Sequence, residues 1–395
     1  MPWKESLKMD QRTEFAMKAI NCADFTGLCR EYGISRKTGY KWQARFMQHG
    51  LAGLGELSRR PHGSPKGLAE SVVCEIVRLK QAHAFWGPRK IRALYGRKHG
   101  EKDLPSESSF KRVLERAGLI SPRKTRPARE GGRLASGLKA TKPNEVWTVD
   151  FKGWWKGAGG IKIEPLTVRD EYSRALLEMR NLPDSSGATV RGCFERLFRL
   201  HGLPGSIRSD NGSPFASHNG LLGLTRLSAW WLALGIGLER SRPGCPQDNG
   251  AHERMHRDIR IEIQSGRAGE DQAAFDLWRD QYNHERPHEA LGMRVPGELH
   301  VPSERLYEGT PDALDYGGME TRRVKESNGR ICYRRESLLL STALGGWDVG
   351  LSPRPDGLVE VRFARLLIGH INPETSSFAA VRPDCREAGQ KDEKV

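Results

Sequence analysis

Residues 144–151 alternate Val146, Thr148 and Asp150 with Trp147, Val149 and Phe151, the two-residue period of a strand covered on both faces. The pattern puts Asp150 inside or at the end of that strand. A charge there needs a partner or a cation to offset its desolvation, although a purely structural aspartate would satisfy the same pattern.

A second carboxylate follows a helix-like stretch, residues 188–201, in which Val190, Phe194, Leu197 and Leu200 recur at helical spacing. A Gly-Leu-Pro-Gly turn and a short strand, Ser206-Ile207-Arg208, come next, so Asp210 emerges at a strand end. Asn211-Gly212 can form a sharp turn with positive φ, which explains that phrase without chemistry. The third carboxylate, Glu253, lies four residues after Asn249, which is expected to cap a helix over 251–264 with Met255, Ile259 and Ile263 as its apolar stripe. Asp248 reads as a capping residue there, not a ligand. His256, Arg257 and Arg260 follow Glu253 at i+3, i+4 and i+7, giving a face suited to phosphates or to ordinary ion pairs. Two strand ends and one helix start can deliver three carboxylates to one edge of a mixed sheet. Such a set suits hard, oxygen-seeking divalent cations.

The formal net charge of +15 favours polyanionic partners. No run of eighteen apolar residues occurs and the first residues lack an apolar signal core, so a soluble, cytoplasmic protein without a membrane partner is expected. Seven scattered cysteines show neither Cys-x-x-Cys nor zinc spacing, which points to reduced thiols. At 395 residues the chain should hold several domains.

Residues 1–60 supply the first. Phe25 to Trp42 reads as helix, glycine turn and capped second helix, the punctuation of a helix-turn-helix. On the second helix Thr38, Trp42 and Phe46 form an inward stripe beside a basic stripe of Lys37, Lys41 and Arg45, with Arg36 and Lys37 leading. These four basic residues are candidate DNA contacts. A second helical unit occupies 66–120, with Ser106 as an N-cap, Gly118 as a stop, and Lys111 and Arg112 as phosphate contacts or a solvated face. Residues 121–142 form a basic linker of net charge +6, in which Arg123, Lys124 and Arg126 can track a DNA backbone. Short strands separated by turn residues predict a small β-barrel over 315–382, and 383–395 reads as a disordered tail.

The three carboxylate phrases together resemble the integrase-core family of bacterial insertion-sequence transposases, relatives of retroviral integrase. Further phrases extend the likeness over 144–297: Asp170-Glu171-Tyr172-Ser173-Arg174, Pro243-Gly244-Cys245-Pro246, and Tyr282-Asn283-His284-Glu285-Arg286-Pro287-His288 with Leu291-Gly292 and Pro296. One departure is the 42 residues between Asp210 and Glu253, more than the family usually has, with the excess assigned to a loop before a helix within 216–233. The resemblance implies a ribonuclease-H-like mixed-sheet α/β catalytic core over 143–298, flanked by the helix-turn-helix units and the β module. It also implies Asp150, Asp210 and Glu253 as catalytic residues holding two Mg²⁺ ions, with Mn²⁺ as a substitute. Arg254, Arg257 and Arg260 would meet DNA beside them. The implied reaction cleaves element ends and joins the 3′-OH to target DNA, with a homo-oligomer, at least a dimer, on the DNA. A DNA-binding regulator with an idle core, or a ribonuclease-H-like nuclease without strand transfer, would carry many of the same residues.

Overall fold

The computed structural model describes residues 8–56, 67–121, 139–157, 160–242, 249–264 and 271–381, which fall into two compact units, 1–69 and 70–395. In the first, α1 (Lys8–Ile20), α2 (Phe25–Glu31) and α3 (Arg36–His49) enclose Phe15, Ala16, Leu28, Ile34, Trp42 and Leu54. Asp24 accepts from the Gly27 N–H to cap α2, and Ser35 accepts from Thr38 N–H to cap α3, each such cap worth about 1 kcal/mol. Gly33 makes the intervening turn at φ 62°, where a side chain would be strained. Gly39 lets the helices close: a Cβ there would meet Cys29 Sγ at 2.6 Å. The expected helix, turn and capped helix are all present.

The second unit begins with α4 (Glu70–Ala82), α5 (Pro88–His99) and α6 (Glu107–Arg116), which pack through Ile76, Leu79, Ile91, Phe110 and Leu114. Pro88 opens α5, Ser106 caps α6, and the buried Lys80 donates to the carbonyls of Ala84 and Trp86, fixing the corner between α4 and α5.

The central sheet is built from β1 (Val146–Phe151), β4 (Pro165–Asp170), β5 (Leu176–Asn181), β6 (Ser206–Ser209) and β7 (Gly237–Arg240), with β2 (Trp155–Lys156) and β3 (Lys162–Ile163) forming a separate hairpin. Its order is β5-β4-β1-β6-β7. The first three strands run antiparallel and β6 and β7 run parallel to β1, the mixed sheet expected of a ribonuclease-H-like core. Trp147, Val149, Leu166, Val168 and Ile207 pack against Val190, Phe194, Leu197 and Phe198 of α7 (Gly187–His201) and against Trp230 and Trp231 of α8 (Arg226–Ala233). Residues 216–233, ahead of α9 (Gly250–Glu262), thus form a loop with a short turn at Leu221–Gly223 followed by a core helix, as expected. Helix α10 (Gln272–His284) lies against β5, and Asn283 exchanges hydrogen bonds with the Leu176 backbone. The Asp170 phrase closes the β4–β5 turn: its carboxylate accepts from Asn144 N–H at 2.8 Å and from Ser173 N–H at 2.7 Å.

The C-terminal strands are β8 (Glu320–Arg323), β9 (Arg330–Tyr333), β10 (Glu336–Leu339), β11 (Asp348–Pro353), β12 (Val359–Phe363), β13 (Leu366–Asn372) and β14 (Ser377–Ala380). They do not close into the expected barrel. An open antiparallel sheet runs β14-β13-β12-β11-β8, and β9 and β10 pair only with each other. Closure is unnecessary because the apolar residues of the sheet, Val349, Leu351, Val361 and Phe363, share a cluster with Ile331, Tyr333 and Leu338 of the hairpin and with Leu224, Ala229 and Ala233 around α8. Cys22, Cys29, Cys74, Cys193 and Cys332 are free thiols; Cys245 and Cys385 lie outside the described residues. Among the described residues, no helix is long and apolar enough to cross a membrane.

Candidate active site

Asp150 is the fifth residue of the six-residue β1, and its register partner across the antiparallel pair is Thr167 of β4. Thr148, two residues earlier and therefore on the same face, pairs with Arg169. Asp210 follows β6, the parallel neighbour of β1, and its carboxylate is exposed. The turn after it forms differently from expectation: Asp210 Oδ1 accepts from Gly212 N–H at 3.1 Å, and neither Asn211 nor Gly212 has positive φ. Asn211 Nδ2 instead donates to the Ser241 carbonyl at 2.8 Å, tying this loop to the end of β7.

Glu253 is exposed on the first turn of α9. Asn249 occupies the N-cap position but makes no side-chain capping bond, and Asp248 lies outside the described residues. The helix is held from its other end. Met255, Ile259 and Ile263 pack with Leu176, Met179, Phe275, Trp278 and Tyr282, while the buried Arg286 guanidinium bridges Asp258 and Glu262, at 2.8 Å from each.

Burial, followed by the charges of Asp210 and Glu253, pushes the Asp150 carboxyl up to about 7, against the opposing pull of the Phe151 N–H and Lys152. The charges of Asp210 and Glu253 therefore reach the Asp150 carboxyl. Burial, together with Arg260, lowers the affinity of the Lys152 amine for its proton, so cationic groups are also crowded here. Carboxylate oxygens that repel one another suit a hard divalent cation, whose charge would relieve that repulsion.

Two neighbours of Asp150 take places that the sequence did not show. His252 is fully buried, with Nδ1 2.9 Å from Thr148 Oγ1 and Nε2 2.7 Å from Thr167 Oγ1. His256 Nε2 lies 2.8 Å from the same Thr167 hydroxyl. Burial and then Lys152, Arg169 and Arg260 hold His256 down to about 3, and burial with His256 holds His252 well below its usual range. His256 is thus a largely buried, inward ring, a correction to the expectation that it shares a phosphate-facing surface with Arg257 and Arg260. The signal lay in the spacing: 252, 255, 256, 259 and 263 fall on one stripe of α9.

The basic candidates divide. Arg254, Arg257 and Arg260 are exposed along α9, and Arg36, Lys37 and Lys41 are exposed on α3. Arg45 is half-buried, 5.3 Å over the Trp42 ring and 3.4 Å from the Gly55 carbonyl, so part of its role is to hold its own unit together. Lys111 and Arg112 are exposed on α6, the first beside Glu115 and the second bonded to the Ser108 carbonyl. Arg123, Lys124 and Arg126 lie outside the described residues.

Comparison with known proteins gives a consistent picture. Two family models described as integrase core domain match residues 140–246 and 234–296, and one described as homeodomain-like domain matches 38–114. An uncharacterized 31.7 kDa protein of insertion element IS407 from Burkholderia multivorans is 27% identical over 255 residues, covering 63% of this chain and 87% of that one. An uncharacterized 39.2 kDa protein of insertion element IS476 from Xanthomonas euvesicatoria is 28% identical over 255 residues, covering 63% and 70%. Among solved structures, the catalytic core domain of BIV integrase is similar at 24% identity with a TM-score of 0.31, covering 40% of this chain and 93% of that chain.

Proposed function

Because the chain belongs to the rve-type integrase-core family of insertion-sequence transposases, within the retroviral integrase superfamily, we propose that it cleaves the ends of its own element and joins them to target DNA. The observation that supports this reading is that the charges of Asp210, at the end of β6, and of Glu253, on the first turn of α9, reach the Asp150 carboxyl of β1. In the first reaction water attacks the phosphodiester, a new P–O bond forms, and the 3′ oxygen leaves as a 3′-OH. In the second that hydroxyl attacks a target phosphodiester and displaces its 3′ oxygen in line, so each step forms one P–O bond and breaks one.

Asp150, Asp210 and Glu253 would hold two Mg²⁺ ions, which when bound supply Lewis acidity to the phosphodiester. The remaining work belongs to the chain. Arg254, Arg257 and Arg260 receive backbone phosphates beside the carboxylates, and α3 holds the element end through Arg36, Lys37 and Lys41. Two ends must be brought together, so the active species on DNA is a homo-oligomer of at least two chains, working in the bacterial cytoplasm.

The test uses the purified chain, labelled DNA from the borders of its own gene and a plasmid target, with and without Mg²⁺. Metal-dependent nicking followed by joined products is expected. Nicking without joining would make it a nuclease, and sequence-specific binding without chemistry would make it a regulator. For α3, replacing both Lys37 and Lys41 with Ala should weaken end binding and reduce the log–log salt slope by about one per lysine. An unchanged slope in a salt titration would remove these lysines from the interface.

A further inference from the structure

The contacts around Thr167 fix the direction of a lone pair. A threonine hydroxyl has one proton to donate and two lone pairs with which to accept. Thr167 Oγ1 lies 2.9 Å from the Asp150 carbonyl oxygen, which can only accept, so the hydroxyl proton goes there. Its two remaining contacts, with His252 Nε2 and His256 Nε2, must then be made by N–H donors. For His252 both nitrogens are thereby engaged by hydroxyls, Nε2 by Thr167 and Nδ1 by Thr148, whose own hydroxyl also reaches the Arg169 carbonyl at 3.3 Å. For His256 it leaves an Nδ1 lone pair facing Asp150 Oδ2 across 3.8 Å.

That gap is too long for a hydrogen bond. It is a distance that one cation can bridge, since imidazole nitrogen and carboxylate oxygen each bind such ions at about 2.1 Å. The ligand atoms of Asp150, His252 and His256 all lie within 4.8 Å of one another. With both His252 nitrogens engaged by threonines, His256 is the ring with a donor to offer.

We propose that His256 Nδ1 is a nitrogen ligand to the divalent cation carried by Asp150, giving this site a mixed oxygen and nitrogen donor set that takes Mn²⁺, Co²⁺ or Zn²⁺ as well as Mg²⁺. The proposal rests on reading Asp150 as a cation ligand. Nitrogen donors favour the borderline transition ions over Mg²⁺, which prefers oxygen. Thr167 acts as the positioning residue: because it is the register partner of Asp150, the same strand pairing that places the carboxylate also aims the imidazole.

The experiment is Mn²⁺ binding to the full chain, followed by pulsed electron paramagnetic resonance to detect nitrogen coordinated to the ion. The wild type should show directly bound ¹⁴N, and growth with ¹⁵N-histidine should change that signal without any substitution. His256→Gln should keep bound Mn²⁺, with affinity reduced roughly 10-fold or more, and lose the nitrogen coupling. Bound Mn²⁺ without histidine nitrogen, or coupling that survives in His256→Gln, would overturn the proposal while leaving Asp150 as a ligand. Mn²⁺ that binds equally to Asp150→Asn, or fails to bind the wild type, would overturn both readings.

Discussion

Single replacements Asp150→Asn, Asp210→Asn and Glu253→Gln are each expected to reduce end cleavage and strand joining by roughly 10³-fold or more, the rate equivalent of about 4 kcal/mol. End binding should hold or tighten, because each change removes a negative charge from a surface that must receive phosphates. Loss of fold cannot produce the effect at two of the positions. Asp210 and Glu253 are exposed, and an amide at 210 can still accept from the Gly212 N–H. Exposed substitutions of that kind ordinarily move stability by less than about 0.5 kcal/mol. Measuring single-turnover rates on uncut ends and on ends already bearing a 3′-OH separates cleavage from joining. Joining retained by an Asp150 variant would sink the assignment of this carboxylate.

The site was legible in the sequence to the extent that its parts are local. The alternation through Val149 identified β1, the stripe of Met255, Ile259 and Ile263 identified α9, and Ser35 marked the start of α3. What was not legible depends on pairings distant in sequence. The two histidines acquire their direction only when Thr167 is set opposite Asp150 and α9 covers that face. The Asn249 side chain could cap α9 by local rule, yet the helix is secured by Arg286, Asp258 and Glu262 instead. The C-terminal strands have the short, turn-rich pattern of a barrel, but the alternation says nothing about closure. That outcome turned on the β9–β10 hairpin and the residues around α8 sharing their apolar cluster. Likewise the basic spacing of α3 made Arg45 equivalent to Lys41, and only the folded unit distinguishes them, with Arg45 half-buried beside the Gly55 carbonyl and Lys41 exposed.

In chelator, Asp150→Asn is expected to be more stable than the parent chain at pH 8 and nearly equal to it near pH 3. The folded chain raises this carboxyl from 3.8 to about 7. Below about pH 3 the group is protonated in both states, so folding is indifferent to it. As the pH rises toward 7 the unfolded chain loses the proton while the folded chain retains it, and parent stability falls. Above 7 the folded carboxyl ionises as well and the deficit levels off. With 27% of the side chain exposed to screening water, that deficit lies between about 1 and 4 kcal/mol. The amide keeps the shape of the protonated group and escapes the loss. Denaturant titrations of both proteins at pH 5 and pH 8 measure the gap, and a gap that does not widen with pH would mean that the carboxylates are not crowded. Saturating Mg²⁺ should close most or all of the gap at pH 8, since binding to the folded parent at 100 times its Kd adds about 2.7 kcal/mol while the variant has lost a ligand. A site that is a liability to the metal-free fold and is relieved in the loaded one couples its folding to the cation its chemistry requires.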